Sequence, residues 1–492
     1  MNEDQNTHGL KKALSKSQVW ALAFGSIIGW GCFVLPGDSF LISSGPIGTV
    51  IGVAIGTLLM CTIVLVYGDM IKHAPFAGGE YAHTYIGFGI NASFICGWVL
   101  VLGYISIVGA NISALSLLVR YLLPGVFEFG ELYTIAGWKV YIGEVLLMIT
   151  GLLIFSYINY RGISLSGITQ LIIALILSIG ATVAVIFTLT AETSSVENLY
   201  PLFSENNSPF AAVIAIVAIA PWLFMGFDTA SQSAEEYSFS PNKAKFIMIA
   251  ALVWGAALYS MMTVAVAIVM PYPEMLSQMS IQKELGQASW ATGVAVELSA
   301  GKLGIFVIAI TMLAAVCTGI LGFFVASTRL MLSMGRGYIL PTWFADIHPK
   351  YHTPYKAILF TMALILIVPW CGRAILIWIV DMSSVGICIA YMFTCLTGYK
   401  VAKHSDAQNR KTQMILAIFG TTVSVVCIFL LLTPGSPAFI SSEARWAMVV
   451  WCLLGVVFYM VSRKNWISQS KETIKNQILG GQGQNIPVYF KD

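Results

Sequence analysis

Apolar stretches about as long as a bilayer is thick, roughly 20 residues, recur from one end of the chain to the other and leave room for no water-soluble domain larger than a loop. They extend approximately over 19–43, 47–71, 92–123, 141–157, 163–190, 210–232, 246–270, 303–332, 357–369, 374–398, 414–432 and 446–461, about twelve spans by hydropathy. Composition agrees: the 492 residues are 58% hydrophobic and 10% charged, where a soluble domain carries about 25% charged residues. Mean hydropathy is +0.82. The expected fold class is an all-α integral membrane protein, because a helix satisfies its backbone hydrogen bonds internally where lipid offers no partner. The ninth stretch is short, and Trp370-Cys371-Gly372-Arg373 reads as a tight turn into the tenth.

Charge fixes an expected orientation. With the N-terminus in the cytoplasm, the connections on that side collect about twenty Lys and Arg, including Lys11, Lys12, Lys16, Lys72, Arg161, Lys243, Lys245, Arg329, Arg336 and Lys350, against about six outside. This predicts a multi-pass protein of the cell membrane with both termini cytoplasmic. The net charge of +3 follows from that loop bias and points to no nucleic acid. The stretch before Ser17 lacks the apolar core and cleavage site of a secretory signal, so the first helix is expected to be retained. The nine cysteines lie in or at the ends of spans with no C-x-x-C, as packing residues do, and all six histidines map to cytoplasmic positions. Asn206-Asn207-Ser208 is a glycosylation sequon on the external side.

No cofactor is called for. Glu80-Tyr81-Ala82-His83 is a formal Glu-x-x-His, but it is single, falls at the Gly78-Gly79 loop, and lacks the second copy that a di-iron bundle needs. Patterns of zinc hydrolases, P-loops and serine hydrolases are missing, which argues against an enzyme. A channel would require a repeated pore loop or charged ring, and neither is found.

Two spans are interrupted. In "FGSIIGWGCFVLPGD", residues 24–38, Gly25, Gly29 and Gly31 break the first span, each costing about 1 kcal/mol of helix propensity relative to Ala. The sixth span contains Pro221, then Gly226 and the ionisable Asp228. Irregular backbone inside a membrane must be buried in protein or line a wet cavity. Matching interruptions in two halves of a chain point to an inverted-repeat transporter with its substrate near the midplane. The break in the first span is expected to free N–H groups of Ser26, Ile27, Ile28 and Gly29 for a carboxylate. Carbonyls of Phe224, Met225 and Gly226 in the sixth are expected to take an ammonium group. Gly25, Ser26, Ile27, Ile28, Gly29, Phe224, Met225 and Gly226 are therefore the candidate substrate-binding residues. Close helix packing is the other reading of such glycines, and it is preferred for "GVAIG" at Gly52 to Gly56.

These segments also resemble a known family. "GSIIGWGCFVLPG" is similar to the first-helix signature of the amino acid/polyamine/organocation (APC) family, and "APFAGGEYAHTYIGFGINASFICGW" to its P-x-x-G-G-x-Y loop and the G-W of its third helix. "NYRGISLSG", "GFDTASQSAEEYSFSPNKA" and "STRLMLSMGRGYILP" followed by "HPKYHTPYKAIL" match, in order, the entry to its fifth helix, the end of its sixth and the exit from its eighth. The resemblance implies the five-plus-five inverted repeat of the leucine-transporter fold with two further C-terminal helices. On that scheme, residues 1–16 are a cytoplasmic tail, 17–190 the first repeat, 210–402 the second, 412–462 the last two helices and 463–492 a second cytoplasmic tail. It also implies alternating access and a small-molecule substrate, an amino acid or an amine. By similarity to arginine/agmatine exchangers, Trp222 matches an aromatic gate and Asp228 an acid linked to proton-sensitive transport. The family core reads G-S-G or G-T-G where this chain has Trp30 between Gly29 and Gly31. Facing the cavity, Trp30 would restrict substrate size; facing a neighbouring helix, it would say nothing about substrate.

A charge near the bilayer centre costs about 2.5–3.5 kcal/mol on insertion scales. Asp228 is thus a candidate for exchanging a proton or binding a substrate amine, with a solvated carboxylate at the mouth of the break as the plainer alternative. Glu235 and Glu236 are expected to cap the helix or pair with Lys243 or Lys245, and Asp38 and Asp381 to sit in a vestibule or at the interface. Sodium coupling would need first-span carbonyls with hydroxyls such as Thr318, Ser327 or Thr328. The expected function is a secondary active transporter, symporter or exchanger, of amino acids in the lipid bilayer, coupled to protons or working by exchange; a polyamine or other amine transporter is the alternative. Sodium coupling and a homodimer are left open.

Overall fold

Ten helices of the computed structural model are long and apolar enough to cross a membrane, and two shorter apolar segments, Pro209–Leu223 and Tyr355–Trp370, accompany them. The structure describes residues 10–135, 138–284, 290–436, 438–480 and 486–490. The first part of the chain forms α1 (Lys16–Ile28), α2 (Gly31–Leu35), α3 (Leu41–Ser43), α4 (Gly45–His73), α5 (Gly79–Leu122), α6 (Ile142–Tyr160) and α7 (Ile163–Thr190). Then come α8 (Pro209–Leu223), α9 (Thr229–Gln232), α10 (Ala244–Ile268), α11 (Tyr272–Glu284), α12 (Ala291–Arg336), α13 (Tyr355–Ile365) and α14 (Gly372–Lys403). The chain closes with α15 (Arg410–Leu432), α16 (Ser442–Ile467) and α17 (Lys471–Ile478). A hairpin of Glu131–Ile135 and Trp138–Tyr141 links α5 to α6. The protein is a multi-pass, helical membrane protein.

Local chemistry sets the helix ends. Ser15 caps α1 in a reciprocal box: its hydroxyl accepts from the Gln18 N–H at 3.4 Å, and the Gln18 side chain accepts from the Ser15 N–H at 2.8 Å. Ser208 caps α8 by accepting from the Ala211 N–H at 3.3 Å, with Pro209 in the first turn where its missing donor costs nothing. The two longest helices, α5 and α12, each bend at a glycine of positive φ, Gly89 (78°) and Gly301 (56°), in both cases ten residues beyond the helix start.

Large apolar side chains face outward, among them Leu58, Phe210, Phe306 and Ile415, while polar groups including Glu80, Asp228, Glu236, Arg329 and Gln170 are buried. That inversion suits a lipid surround. The packing reading of "GVAIG" holds: a Cβ on Gly52 would lie 2.6 Å from Ile216 Cβ, and one on Gly56 2.8 Å from Ala220 Cβ, so these glycines let α4 approach α8. One placement is corrected. Glu80 and His83 do not lie in a loop; Gly78, at φ 89°, turns the chain so that α5 begins at Gly79 and both side chains are buried in its first two turns. All nine cysteines are free, and among the described residues no His, Cys, Asp and Glu cluster has the form of a metal site.

Candidate substrate site

Both interrupted segments are broken in the structure, and the breaks touch. The helix of α1 stops at Ile28, Gly29 turns the chain at φ 32° and ψ −167°, and helix resumes at Gly31. The second half continues through a π turn, Pro36–Phe40, to Ser43. In the other segment, α8 runs to Leu223 with Pro221 inside its last turn, residues 224–228 form turns, and a short α9 follows. Pro221 removes a backbone donor, and Gly226 takes φ 133°. A Cβ on Gly226 would sit 2.5 Å from both the Ile27 nitrogen and the Ser26 carbonyl carbon. Only a glycine permits this backbone-to-backbone approach.

The polarity of the first break differs from the sequence expectation. Ser26, Ile27 and Ile28 occupy the last turn of α1, where carbonyls and not N–H groups lack helical partners. One of these, the Ile27 carbonyl, accepts from the Tyr259 hydroxyl at 3.1 Å. The donors without helical partners belong to the first turn of α2, starting at Gly31, where the Phe33 N–H already donates to the Trp30 carbonyl at 3.1 Å. Across the gap, among the described residues, the Phe224 and Met225 carbonyls receive no hydrogen bond, whereas the Gly226 carbonyl accepts from the Thr229 N–H and hydroxyl.

A cavity of about 40 Å³ lies at the junction, bounded by Ser26–Gly31, Trp222, Leu223, Met225, Ile107, Ala110, Asn111, Tyr259 and Phe323. It has room for roughly one or two waters. Next to it is a vestibule of about 450 Å³ that includes Asp38, Asp381, Ser384 and residues 438–440. Trp30, Trp222 and Ala110 border both spaces. Trp30 therefore faces the cavity, and Asp38 and Asp381 belong to the vestibule.

Of the candidate residues, Ser26, Ile27, Ile28, Gly29, Met225 and Trp222 line the inner cavity. Gly25 does not; a Cβ there would meet Thr318 Cβ at 2.6 Å and the Gln170 amide at 2.7 Å, so it serves packing. Phe224 is buried with its ring edge-on to Tyr259, centroids 6.4 Å apart. Gly226 holds the two breaks together, and Asp228 lies behind it. Gly29 faces open space: a Cβ there would have only Asn111 Oδ1, at 3.7 Å, within 4 Å.

Sequence reasoning missed Asn111, Tyr259 and Phe323. Asn111 donates to the Ile107 carbonyl at 2.9 Å, and its Oδ1 is buried without a partner among the described residues, as are Ser26 Oγ and Trp222 Nε1. A lone Asn in the apolar run "SIVGANISAL" was the available signal.

Behind the cavity, Asp228 Oδ1 accepts from the Gly226 N–H at 2.7 Å, and Oδ2 accepts from the Tyr104 hydroxyl at 2.5 Å. Tyr104 also lies 3.5 Å from Glu80 Oε1, while Gln232 Nε2 donates to Glu80 Oε2 and, at 3.2 Å, to the Tyr104 oxygen. Glu80, Asp228 and Gln232 are fully buried.

The expected partners of Glu235 and Glu236 are replaced. Glu236 pairs with Arg329 through bonds of 2.9 and 3.1 Å, and Glu235 with Arg336 through bonds of 2.7 and 3.1 Å; Lys245 instead approaches Asp69 at 4.0 Å. Arginine's planar fork suits both bidentate contacts. At Glu235, outside the spanning helices, burial pushes the carboxyl up, but Arg336 and the Ala77 N–H outweigh it and hold it below the ordinary carboxylate range. Because the folded value is depressed, this stabilisation is present above the unfolded carboxylate pKa and is lost as pH falls through the folded one. Arg336→Gln is expected to lower the melting temperature at neutral pH, with the gap from wild type shrinking on acidification; a gap independent of pH contradicts the ion pair as its cause.

Two half-helices meeting at a small buried cavity, inside a bundle that presents apolar side chains outward, define a membrane carrier. The family model described as amino acid permease matches residues 14–458, and the chain belongs to this family, within the APC group. A branched-chain amino acid permease of Bacillus subtilis is 26% identical over 477 residues, covering 93% of this chain and 94% of the relative. A vacuolar cationic amino acid transporter 4 of Arabidopsis thaliana is 26% identical over 72% of this chain and 58% of its own length. A methylthioribose transporter of Bacillus subtilis is 23% identical over 72% of this chain and 74% of its own. Family and relatives are transporters, not enzymes.

Proposed function

We propose that the protein is a secondary active transporter of neutral amino acids with apolar side chains, working by alternating access between the two broken helices. The carrying observation is the contact of Gly226 with Ser26 and Ile27, which puts both breaks against one cavity. The substrate carboxylate is assigned to the N–H groups that open α2 and its ammonium to the carbonyls of Phe224 and Met225, with Asn111 Oδ1 on the Gly29 side of the cavity. Ile107, Met225 and Phe323 would surround the side chain. Gly29, open to the cavity, gives the substrate backbone its approach.

Architecture supports this reading as a five-plus-five inverted repeat over residues 17–190 and 210–402, followed by two more helices over 412–462. The breaks in the first segment and in α8/α9 occupy matching positions, and the bends at Gly89 and Gly301 fall equally far along α5 and α12. With both tails, 1–16 and 463–492, in the cytoplasm of the cell membrane, the vestibule opens outward and Trp222, with Trp30, gates it. The inner cavity is too small for an amino acid, so these indoles must move for substrate to enter.

A polyamine is less well served. Its second amine would need a counter-charge in the cavity, and Asp228 is instead engaged by Tyr104 and the Gly226 N–H. Sodium coupling would have to share its ligands: Gln170 Nε2 donates to the Ala21 and Thr318 carbonyls at 3.2 Å each, and the Thr328 hydroxyl oxygen already accepts from the Arg329 guanidinium at 3.1 Å. Proton coupling or exchange remains the reading, with Asp228 as its acid.

Proteoliposome uptake of radiolabelled alanine, leucine, arginine and putrescine tests the assignment. Leucine or alanine is expected to enter; entry of putrescine alone would remove the amino acid reading. Asp228→Asn is expected to fold normally and to abolish the pH dependence of uptake, whereas an unchanged pH profile refutes a protonation role.

A further inference from the structure

Asp228 has a second carboxyl as its neighbour. We propose that Glu80 and Asp228 hold one proton between them through the Tyr104 hydroxyl, and that its passage from one to the other is the coupling step of the transport cycle. The inference rests on the transporter reading above and deepens it by adding Glu80 and Tyr104.

Hydrogen counting carries the argument. Tyr104 has one hydroxyl hydrogen and two carboxylate neighbours, Asp228 Oδ2 at 2.5 Å and Glu80 Oε1 at 3.5 Å. Its short bond commits that hydrogen to Asp228. The contact with Glu80, at 3.5 Å longer than an O–H···O hydrogen bond, can close into one when Glu80 carries a proton and donates it to the Tyr104 oxygen. Without it, two carboxylates would face one another in a buried site, and among the described residues neither has an ion-pair partner. Like charges so placed do not both ionise. The Arg329 guanidinium is already bound to Glu236, and that of Arg336 to Glu235.

Other facing groups donate or are uncharged. From α4, the buried Tyr67 hydroxyl faces Glu80, and from α14 the Tyr391 hydroxyl lies within electrostatic reach of both carboxyls. Cys96, on α5 itself, also senses Glu80, and His83, one turn along, stands edge-on to Tyr67 at 6.5 Å. On the α9 side Gln232 donates to Glu80, and α12 contributes the Phe323 ring against Tyr104.

The transfer balances without a co-reactant. The Glu80 O–H bond breaks as its proton joins the Tyr104 oxygen, and the original tyrosine proton passes to Asp228 Oδ2, so the negative charge moves from Asp228 to Glu80. This move reaches the substrate site. A charged Asp228 grips the Gly226 N–H with a charge-assisted bond, roughly twice as strong as a neutral one; protonation weakens that grip at the residue pressed against Ser26 and Ile27. Glu80 stands at the start of α5, bonded to Gln232 and three residues after Ala77, whose N–H donates to Glu235, and so extends the path toward that end of the bundle.

Proteoliposomes containing wild type, Glu80→Gln or Tyr104→Phe, assayed with radiolabelled leucine, separate the possibilities. Both variants are expected to retain counterflow exchange at equal pH, and to lose accumulation driven by an inward acid gradient, falling to the level without a gradient. Gradient-driven accumulation by both variants at the wild-type level overturns the shared proton while leaving transport standing. So does wild-type uptake indifferent to the gradient. Wild type that moves no amino acid overturns the transport reading itself. If the variants fail to fold, infrared spectra of wild type decide: a protonated-carboxyl stretch at neutral pH is expected, and its absence at neutral pH overturns the proposal.

Discussion

Gly226→Ala is expected to stop transport and to destabilise the protein. Its Cβ would stand 2.5 Å from main-chain atoms of Ser26 and Ile27, which cannot yield as a flexible side chain would. Overpacking of this kind costs about 1–3 kcal/mol, and a φ of 133° in a residue other than glycine adds about 1–3 kcal/mol of strain. Gly125→Ala is the comparison: φ there is 79°, yet nothing lies within 4 Å of the added carbon. It is expected to transport as wild type does. Uptake in proteoliposomes and thermal unfolding in detergent read both effects, and normal uptake by Gly226→Ala contradicts the close meeting of the breaks.

Arg329→Met is expected to be the most destabilising change at the ionic end of the bundle. The Arg329 and Glu236 side chains are 1% and 0% exposed, and two hydrogen bonds join them while a third, 3.1 Å long, runs from Arg329 to Thr328 Oγ1. Removing one member of a buried pair leaves an uncompensated charge, a loss of about 3–5 kcal/mol. Glu236→Gln added to Arg329→Met removes that charge and is expected to recover much of the loss. Melting temperatures of the single and double variants check this; a single variant as stable as wild type shows that the pair contributes nothing. The pair ties the segment after the second break to α12, so its loss is expected to loosen the same end at which Glu80 begins α5.

The breaks were legible in sequence because glycine and proline announce them chemically: Gly29, Gly226 and Asp228 stand in irregular backbone, and Pro221 in the last helical turn before it. Their polarity was not. Three glycines in seven residues locate an interruption without saying on which side of it Ser26 falls, since that depends on where the last helical hydrogen bond forms. Glu80 was hidden for a related reason: Gly78-Gly79 reads equally as a loop or as a helix start, and the positive φ of Gly78 decides for the helix. Charge proximity along the chain suggested Lys243 and Lys245 for Glu235 and Glu236. The fold brings instead Arg329 and Arg336, about a hundred residues away, because α12 crosses the end of the second break. Gly25 looked like part of the break and is a packing residue, a distinction that only the position of Thr318 reveals.

On the proposed function, a zwitterion binds where the two broken helices touch. A structure of the protein with leucine bound tests it most directly. Ligand density is expected between the Gly29–Gly31 turn and the Phe224–Met225 carbonyls, its carboxylate toward the start of α2 and the Trp222 indole displaced. Leucine seated elsewhere, with this junction still closed, would contradict it.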